Sequence, residues 1–167
     1  MTTRMGDSAR IADLIDVQEG RSGVPLLGDH EIRDLLASTR RIAIVGASPR
    51  PDRPSYGVLR ALVAAGYEVV PVNPQADEIA GIRCYPTLDA AVAATGPVDI
   101  VDVFRRADAC VEPAEDAVRV GARCLWLQLG IANLEAGRIA HAAGLAVVMD
   151  RCTAIEVHRH GAHPPQG

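Results

Sequence analysis

Aromatic side chains are nearly missing from this sequence: they make up 3% of 167 residues, with one Trp and one Phe. The core must then be assembled from Ala, Val, Ile and Leu, which suits helices laid on a buried parallel sheet of short aliphatic strands. Positive charge is not in excess either. The formal net charge of −4 argues against a nucleic-acid-binding domain, while leaving room for a local basic pocket. Cys84, Cys110, Cys124 and Cys152 form no CxxC pair, so neither a zinc knuckle nor a redox dithiol is indicated. Reduced thiols in a cytoplasmic protein are the plainer reading, and no metal site is expected. No apolar run approaches the ~20 residues that span a bilayer, and the polar start Met1–Ile11 lacks a signal-peptide core, so neither membrane insertion nor secretion is expected. The rest of the composition, 49% hydrophobic and 23% charged, is that of a globular domain long enough to bury a core without staples.

From Arg41 onward, aliphatic runs alternate with helical periodicity. Arg41–Gly46 reads as a strand stopped by Gly, Ser55–Ala65 as a helix ended by Gly66, and Tyr67–Val72 as a strand closed by Asn73-Pro74. A short strand is expected near Arg83–Tyr85, a small helix over 87–94, a strand over Val98–Val103, a helix over Asp108–Val120 and a strand over Arg123–Gln128. Leu134–Ala143 and Leu145–Met149 add a last helix and strand. Strands separated by helices signify βαβ units, and right-handed crossovers turn these into an α/β, Rossmann-like, three-layer doubly wound domain with a mainly parallel sheet. Its expected limits are 29–159, with Asp29 as N-cap of a leading helix. Residues 1–28 read as a partly flexible N-terminal extension with a short helix at Ser8–Val17 and a joint at Gly20–Gly23. The His- and Pro-rich stretch from His158 reads as a solvated tail, with 160–167 disordered.

Ligands of open parallel sheets bind beyond the carboxyl ends of the strands, which selects the loops after Gly46, Val72, Val103, Gln128 and Asp150. In the first loop Gly46 permits a tight turn, the helix behind it offers its N-terminus to an anion, Ser48 offers a hydroxyl, and Arg50 and Arg53 offer charge-assisted hydrogen bonds. GxGxxG spacing is absent: Ser48-Pro49 stands where the second glycine belongs, and Asn73-Pro74 replaces the acid that takes ribose hydroxyls, which disfavours NAD. No P-loop and no GxSxG elbow occur. Asp99 and Asp102 lie within a strand; Asp102 could face the cleft, but the expectation is rather that it caps or forms a salt bridge. Cys152, beside Arg151, is the one candidate nucleophile.

The segments Ile44-Val-Gly-Ala-Ser-Pro49, Arg53-Pro-Ser-Tyr56, Val70-Pro-Val-Asn-Pro74, Val101-Asp-Val-Phe-Arg-Arg106, Trp126-Leu-Gln-Leu-Gly130 and Val148-Met-Asp-Arg-Cys152 resemble the small bacterial CoA-binding proteins. That family is in turn similar to the CoA-binding domain of the succinyl-CoA synthetase alpha subunit. The resemblance covers about Asp29 to Arg159. It implies coenzyme A as cofactor, with Gly46, Ala47 and Ser48 at its phosphate-bearing part and Arg53 and Tyr56 closing over it. Asn73 and Pro74 would stand in place of the acid, Val103, Phe104 and Arg105 against the adenine or the pantetheine arm, and Gln128, Gly130 and Asn133 along the far wall. Such synthetases need a second domain with a phosphorylated His and a nucleotide-grasping partner, neither of which is expected in 167 residues. The expectation is therefore a CoA or acyl-CoA binding protein acting as a carrier, sensor or accessory module, more a binder than an enzyme. The alternatives are an acyl-CoA-utilising or CoA-thiol-exchange enzyme using Cys152 and, behind it, an NAD(P)-dependent oxidoreductase. Nucleic acid and membrane are not expected partners; a homodimer or another protein partner is left open.

Overall fold

Strand β1 (Arg41–Val45) lies fully inside the sheet, and its side chains alternate between two cores: Ala43 and Val45 face one, Ile42 and Ile44 the other. The computed structural model describes residues 5–166; residues 1–4 of the expected extension and Gly167 of the expected tail lie outside the described residues. Around β1 run β2 (Glu68–Val72), β5 (Ile100–Val103), β6 (Cys124–Leu127) and β7 (Ala146–Val148), all parallel, in the order β2-β1-β5-β6-β7. One face is covered by α4 (Leu88–Thr95), α5 (Val111–Arg119) and α6 (Leu134–Ala142), the other by α2 (Asp29–Ser38), α3 (Pro54–Ala64) and α7 (Thr153–His160). The layers are those of the expected doubly wound fold. With both sheet faces buried, the strands carry mainly aliphatic side chains on both sides, with Asp102 of β5 and Trp126 of β6 among the exceptions. No helix among the described residues is long and apolar enough to cross a membrane.

The strand expected near Arg83–Tyr85 takes a different form. Glu78–Ile79 (β3) and Ile82–Arg83 (β4) make an antiparallel hairpin turned at Ala80 and Gly81, both with positive φ. Beyond it Tyr85 alone joins the sheet: its N–H donates to the Pro71 carbonyl at 3.0 Å, and its own carbonyl accepts from Asn73 N–H at 2.9 Å. Tyr85 thus stands where the third strand of a 3-2-1-4-5-6 sheet would run, reduced to one residue that closes the β2 edge.

The flanking segments are built onto the domain. Helix α1 (Met5–Gln18) contains the expected Ser8–Val17 helix. Asp13 Oδ2 on α1 accepts from Leu134 N–H at 2.9 Å, and Arg10 pairs with Glu135 at 3.3 Å. After the glycine turn, Leu27 N–H donates to the Val147 carbonyl at 3.0 Å, along the outer edge of β7. At the other end, His158 and His160 belong to the last turn of α7 and not to a tail. An ion cluster around the buried Glu156 holds this helix: Glu156 is paired with Arg151 (3.1 Å) and Arg159 (3.5 Å), and both arginines reach the exposed Asp29 at 2.9 Å. Gly161 ends α7 in the left-handed region, Ala162 N–H returns to the Val157 carbonyl, and Pro164 lies against the Gly66 turn.

Candidate functional site

Chain direction switches between β1 and β5, and a cleft of ≈1040 Å³ opens at the carboxyl ends of the strands there, at the top of the ~300–1,000 Å³ range usual for small-molecule sites. The loop after β1 is held from several sides. Gly46 and Ala47 N–H groups both point at the Val72 carbonyl (3.2 and 3.3 Å), Ser48 N–H donates to Ser55 Oγ at 3.0 Å, and Arg50 N–H donates to Ser48 Oγ at 3.2 Å. Asn73 Nδ2 donates to the Ala47 carbonyl at 2.7 Å, while its Oδ1 accepts from Gln75 N–H at 2.7 Å. The amides of this loop, expected to cradle an anion, are thus occupied in bracing it. Positive charge comes instead from side chains. The chain contains no lysine, so every fixed cation near the cleft is a guanidinium, the group suited to bidentate contact with phosphate. Arg50 is paired with Asp52 at 3.1 Å, whereas Arg53 and Arg105 make no ion pair among the described residues. Arg53 is also the N-cap of α3, with Pro54 following at the first helical position.

The structure brings Gly46, Ala47, Ser48, Arg50, Arg53, Asn73, Pro74, Phe104, Arg105 and Gln128 to the cleft wall. It places four other expected residues elsewhere. Tyr56 lies within α3, half-buried against the core shared with α2 and α7. Val103, the last residue of β5, is buried in the opposite core. Gly130 turns with φ +81° and donates its N–H to Asp150 Oδ1 at 2.7 Å. Asn133 is fully buried as the N-cap of α6, accepting from Ala136 N–H at 3.0 Å and donating to the Ala107 carbonyl at 2.9 Å. An Asn ahead of a helical run is a capping signal in its own right, and that role takes up its side chain.

Several cleft residues escape a reading confined to strand-end loops. Ser55 braces the first loop from inside α3; Leu88 enters from the start of α4; Leu129 and Ile155, both well exposed, flank half-buried Cys152. Thr153, one residue after Cys152, is buried below the cleft and hydrogen-bonds Gln128 and Asp102. Among the described residues Asp102 makes no salt bridge, and it caps no helix. It is buried with Gln128 and Thr153 as hydrogen-bond partners, and burial pushes its carboxyl up to about 7 against the opposing effect of those two bonds. Its side chain sits in register with Ile44 and Trp126, on the α7 side of the sheet, where no cation among the described residues pairs with it. Burial also pushes up the thiols of Cys84, Cys110 and Cys124, which leaves Cys152 as the one cysteine with access to solvent.

The fold is a parallel doubly wound sheet with an arginine-bearing cleft at its switch point, and its first loop carries neither the dinucleotide fingerprint nor a P-loop. The chain belongs to a family described as CoA binding domain (CoA_binding_2), whose model matches residues 40–158. It is 42% identical over 122 residues to the uncharacterized protein YneT of Bacillus subtilis (strain 168), covering 73% of this chain and 88% of that one. A solved structure of a hypothetical protein from Pyrococcus horikoshii OT3 is 37% identical with a TM-score of 0.76, covering 81% of this chain and 94% of that one. An acetate–CoA ligase [ADP-forming] of Methanocaldococcus jannaschii is 32% identical over 60 residues, 36% of this chain and 8% of the ligase.

Proposed function

We propose that this protein binds coenzyme A or an acyl-CoA and serves as a cytoplasmic carrier, sensor or accessory module, without chemistry of its own. The observation that carries this reading is a cleft at the switch point into which two loops deliver guanidinium groups, Arg53 and Arg105, that no acid of the described protein neutralises. The residues fit the group. Arg53, Arg50 and the Ser48 hydroxyl would hold phosphates, and the aliphatic wall of Ala47, Val58, Leu88, Ile131 and Ile155 suits the uncharged remainder of the molecule. Bound CoA would supply a thiol able to carry an acyl group. Gln128 is tied to Asp102 and Thr153, and Asn73 to the Ala47 carbonyl, which supports binding over proton transfer. Thermal unfolding with CoA, and with NAD as comparison, tests the reading. At a hundredfold excess over the dissociation constant, a native-state ligand adds about 2.7 kcal/mol, a midpoint rise of roughly 5–10 °C for a domain of this size. A rise with NAD alone, or with neither ligand, sinks it.

Cys152 in the cleft wall favours a second reading, thiol exchange. Its thiolate would attack the disulfide of oxidised CoA, forming a protein–CoA disulfide and releasing one CoA thiol. An adduct of unchanged yield in Cys152→Ser, read by intact mass, removes that reading.

A further inference from the structure

Gln128 follows β6 at the floor of the cleft and is 4% exposed. Its Nε2 donates to Asp102 Oδ1 at 2.7 Å and to Thr153 Oγ1 at 2.9 Å, and the Thr153 hydroxyl donates in turn to Asp102 Oδ2 at 2.8 Å. A primary amide has two N–H donors, so both are used below the floor. The carbonyl Oε1 has no hydrogen-bond partner among the described residues, yet it is not one of their sealed, unsatisfied atoms. It is the polar atom of Gln128 left open to the cleft.

Asp102 decides this orientation. Above about pH 7 Asp102 is ionised, and an ionised carboxylate accepts hydrogen bonds and donates none. Turning the amide over would set Oε1 against Asp102 Oδ1 and leave two buried acceptors facing each other, at the cost of an unmade buried bond. The groups acting on Asp102 are Gln128 and Thr153, with the Cys124 thiol nearby on β6.

We propose that Asp102 is a positioning residue that, acting through Gln128, gives the cleft floor a hydrogen-bond acceptor, so that the site reads an N–H donor on its ligand. The inference rests on the CoA reading and deepens it. CoA carries such donors in the two amides of its pantetheine arm and in the adenine amino group.

Calorimetric titration of CoA at about pH 8, where Asp102 is ionised, into wild type, Asp102→Asn, Gln128→Met and the double variant tests it. Each single change should weaken binding about three- to tenfold, as for one neutral hydrogen bond, and the double variant should bind like Gln128→Met. A purely structural role for Asp102 would lower affinity in both backgrounds, so an additive double variant overturns the proposal, as does unchanged affinity in either single variant. Repeating the titration with adenosine 3′,5′-bisphosphate separates the sources: the Gln128→Met loss persists if the adenine is read and vanishes if a pantetheine amide is. Failure of wild type to bind CoA sinks the CoA reading. Hydrogen exchange of the Gln128 side-chain amide in the free protein then decides the positioning role. Slow exchange in wild type that becomes fast in Asp102→Asn supports it, and fast exchange in wild type overturns it.

Discussion

A Cβ atom on Gly46 would stand 2.4 Å from the carbonyl oxygen of Phe104. The two residues end β1 and leave β5, so this contact sets how closely the strands converge at the mouth of the cleft. Gly46 also has φ +84°, in the left-handed region that side chains disfavour. Gly46→Ala should therefore lose about 2–3 kcal/mol, the upper end for ordinary substitutions, measured by chemical denaturation.

Arg53→Ala should weaken CoA binding by about 1.5–3 kcal/mol, the range for hydrogen bonds to charged groups, while leaving the melting temperature of the free protein nearly unchanged. Titration calorimetry at two salt concentrations checks both the loss and its origin, because the wild-type advantage should shrink as salt screens the exposed guanidinium. A variant that binds as well as wild type would make Arg53 a surface residue.

Asp102 controls stability in a direction opposite to most carboxylates. Its folded value of about 7 lies above the ordinary 3.8, so the folded state holds a proton that the unfolded chain releases. Stability is then greatest below about pH 4 and falls as pH rises toward 7, by at most about 4 kcal/mol for a shift of this size. Asp29 works the other way. Hydrogen bonds from Arg159 and Arg151 hold its carboxyl low, and what it contributes is lost as pH falls through that lowered value. In Asp102→Asn the decline between pH 4 and 7 should flatten and the neutral-pH stability should rise, as read by denaturant unfolding across that range. An unchanged pH slope would show that Asp102 stays ionised throughout.

Asp13→Ala removes the acceptor that α1 presents to the first turn of α6. The expected cost is about 1 kcal/mol, as for a lost cap, with faster hydrogen exchange at Leu134 N–H. No change in that exchange would mean α1 does not cap α6 in solution.

The strands and most helices were legible because both faces of the sheet are buried, so that each strand is a mainly aliphatic run and each helix carries one apolar face. The arginines of the first loop were legible for a related reason: in a parallel sheet the ligand edge follows from strand direction alone. Helix α7 was not. Ala154, Ile155 and Val157 make too short an apolar stripe, and what seats the helix is Glu156 with Arg151, Arg159 and Asp29. Three of those four residues are close in sequence, but Asp29 is 130 positions from Arg159, and no local pattern announces such a pairing. The burial of Asp102 was hidden likewise. A lone acid in a strand reads as a salt-bridge partner until Thr153, 51 positions on, is seen to reach it. Asn133 carries a capping signal of its own, whereas its expected place on the far wall rests on the family resemblance alone.

The contact between Asp13 and Leu134 spans 121 positions, and this separation has a consequence for how the chain acquires its shape. A helix of 14 residues such as α1 is marginal by itself in water, and its partner leaves the ribosome more than a hundred residues later. At roughly 5–20 residues per second, α1 waits several seconds or more without its docking surface. Of these two partners, the one made earlier is therefore ordered only when the later one arrives.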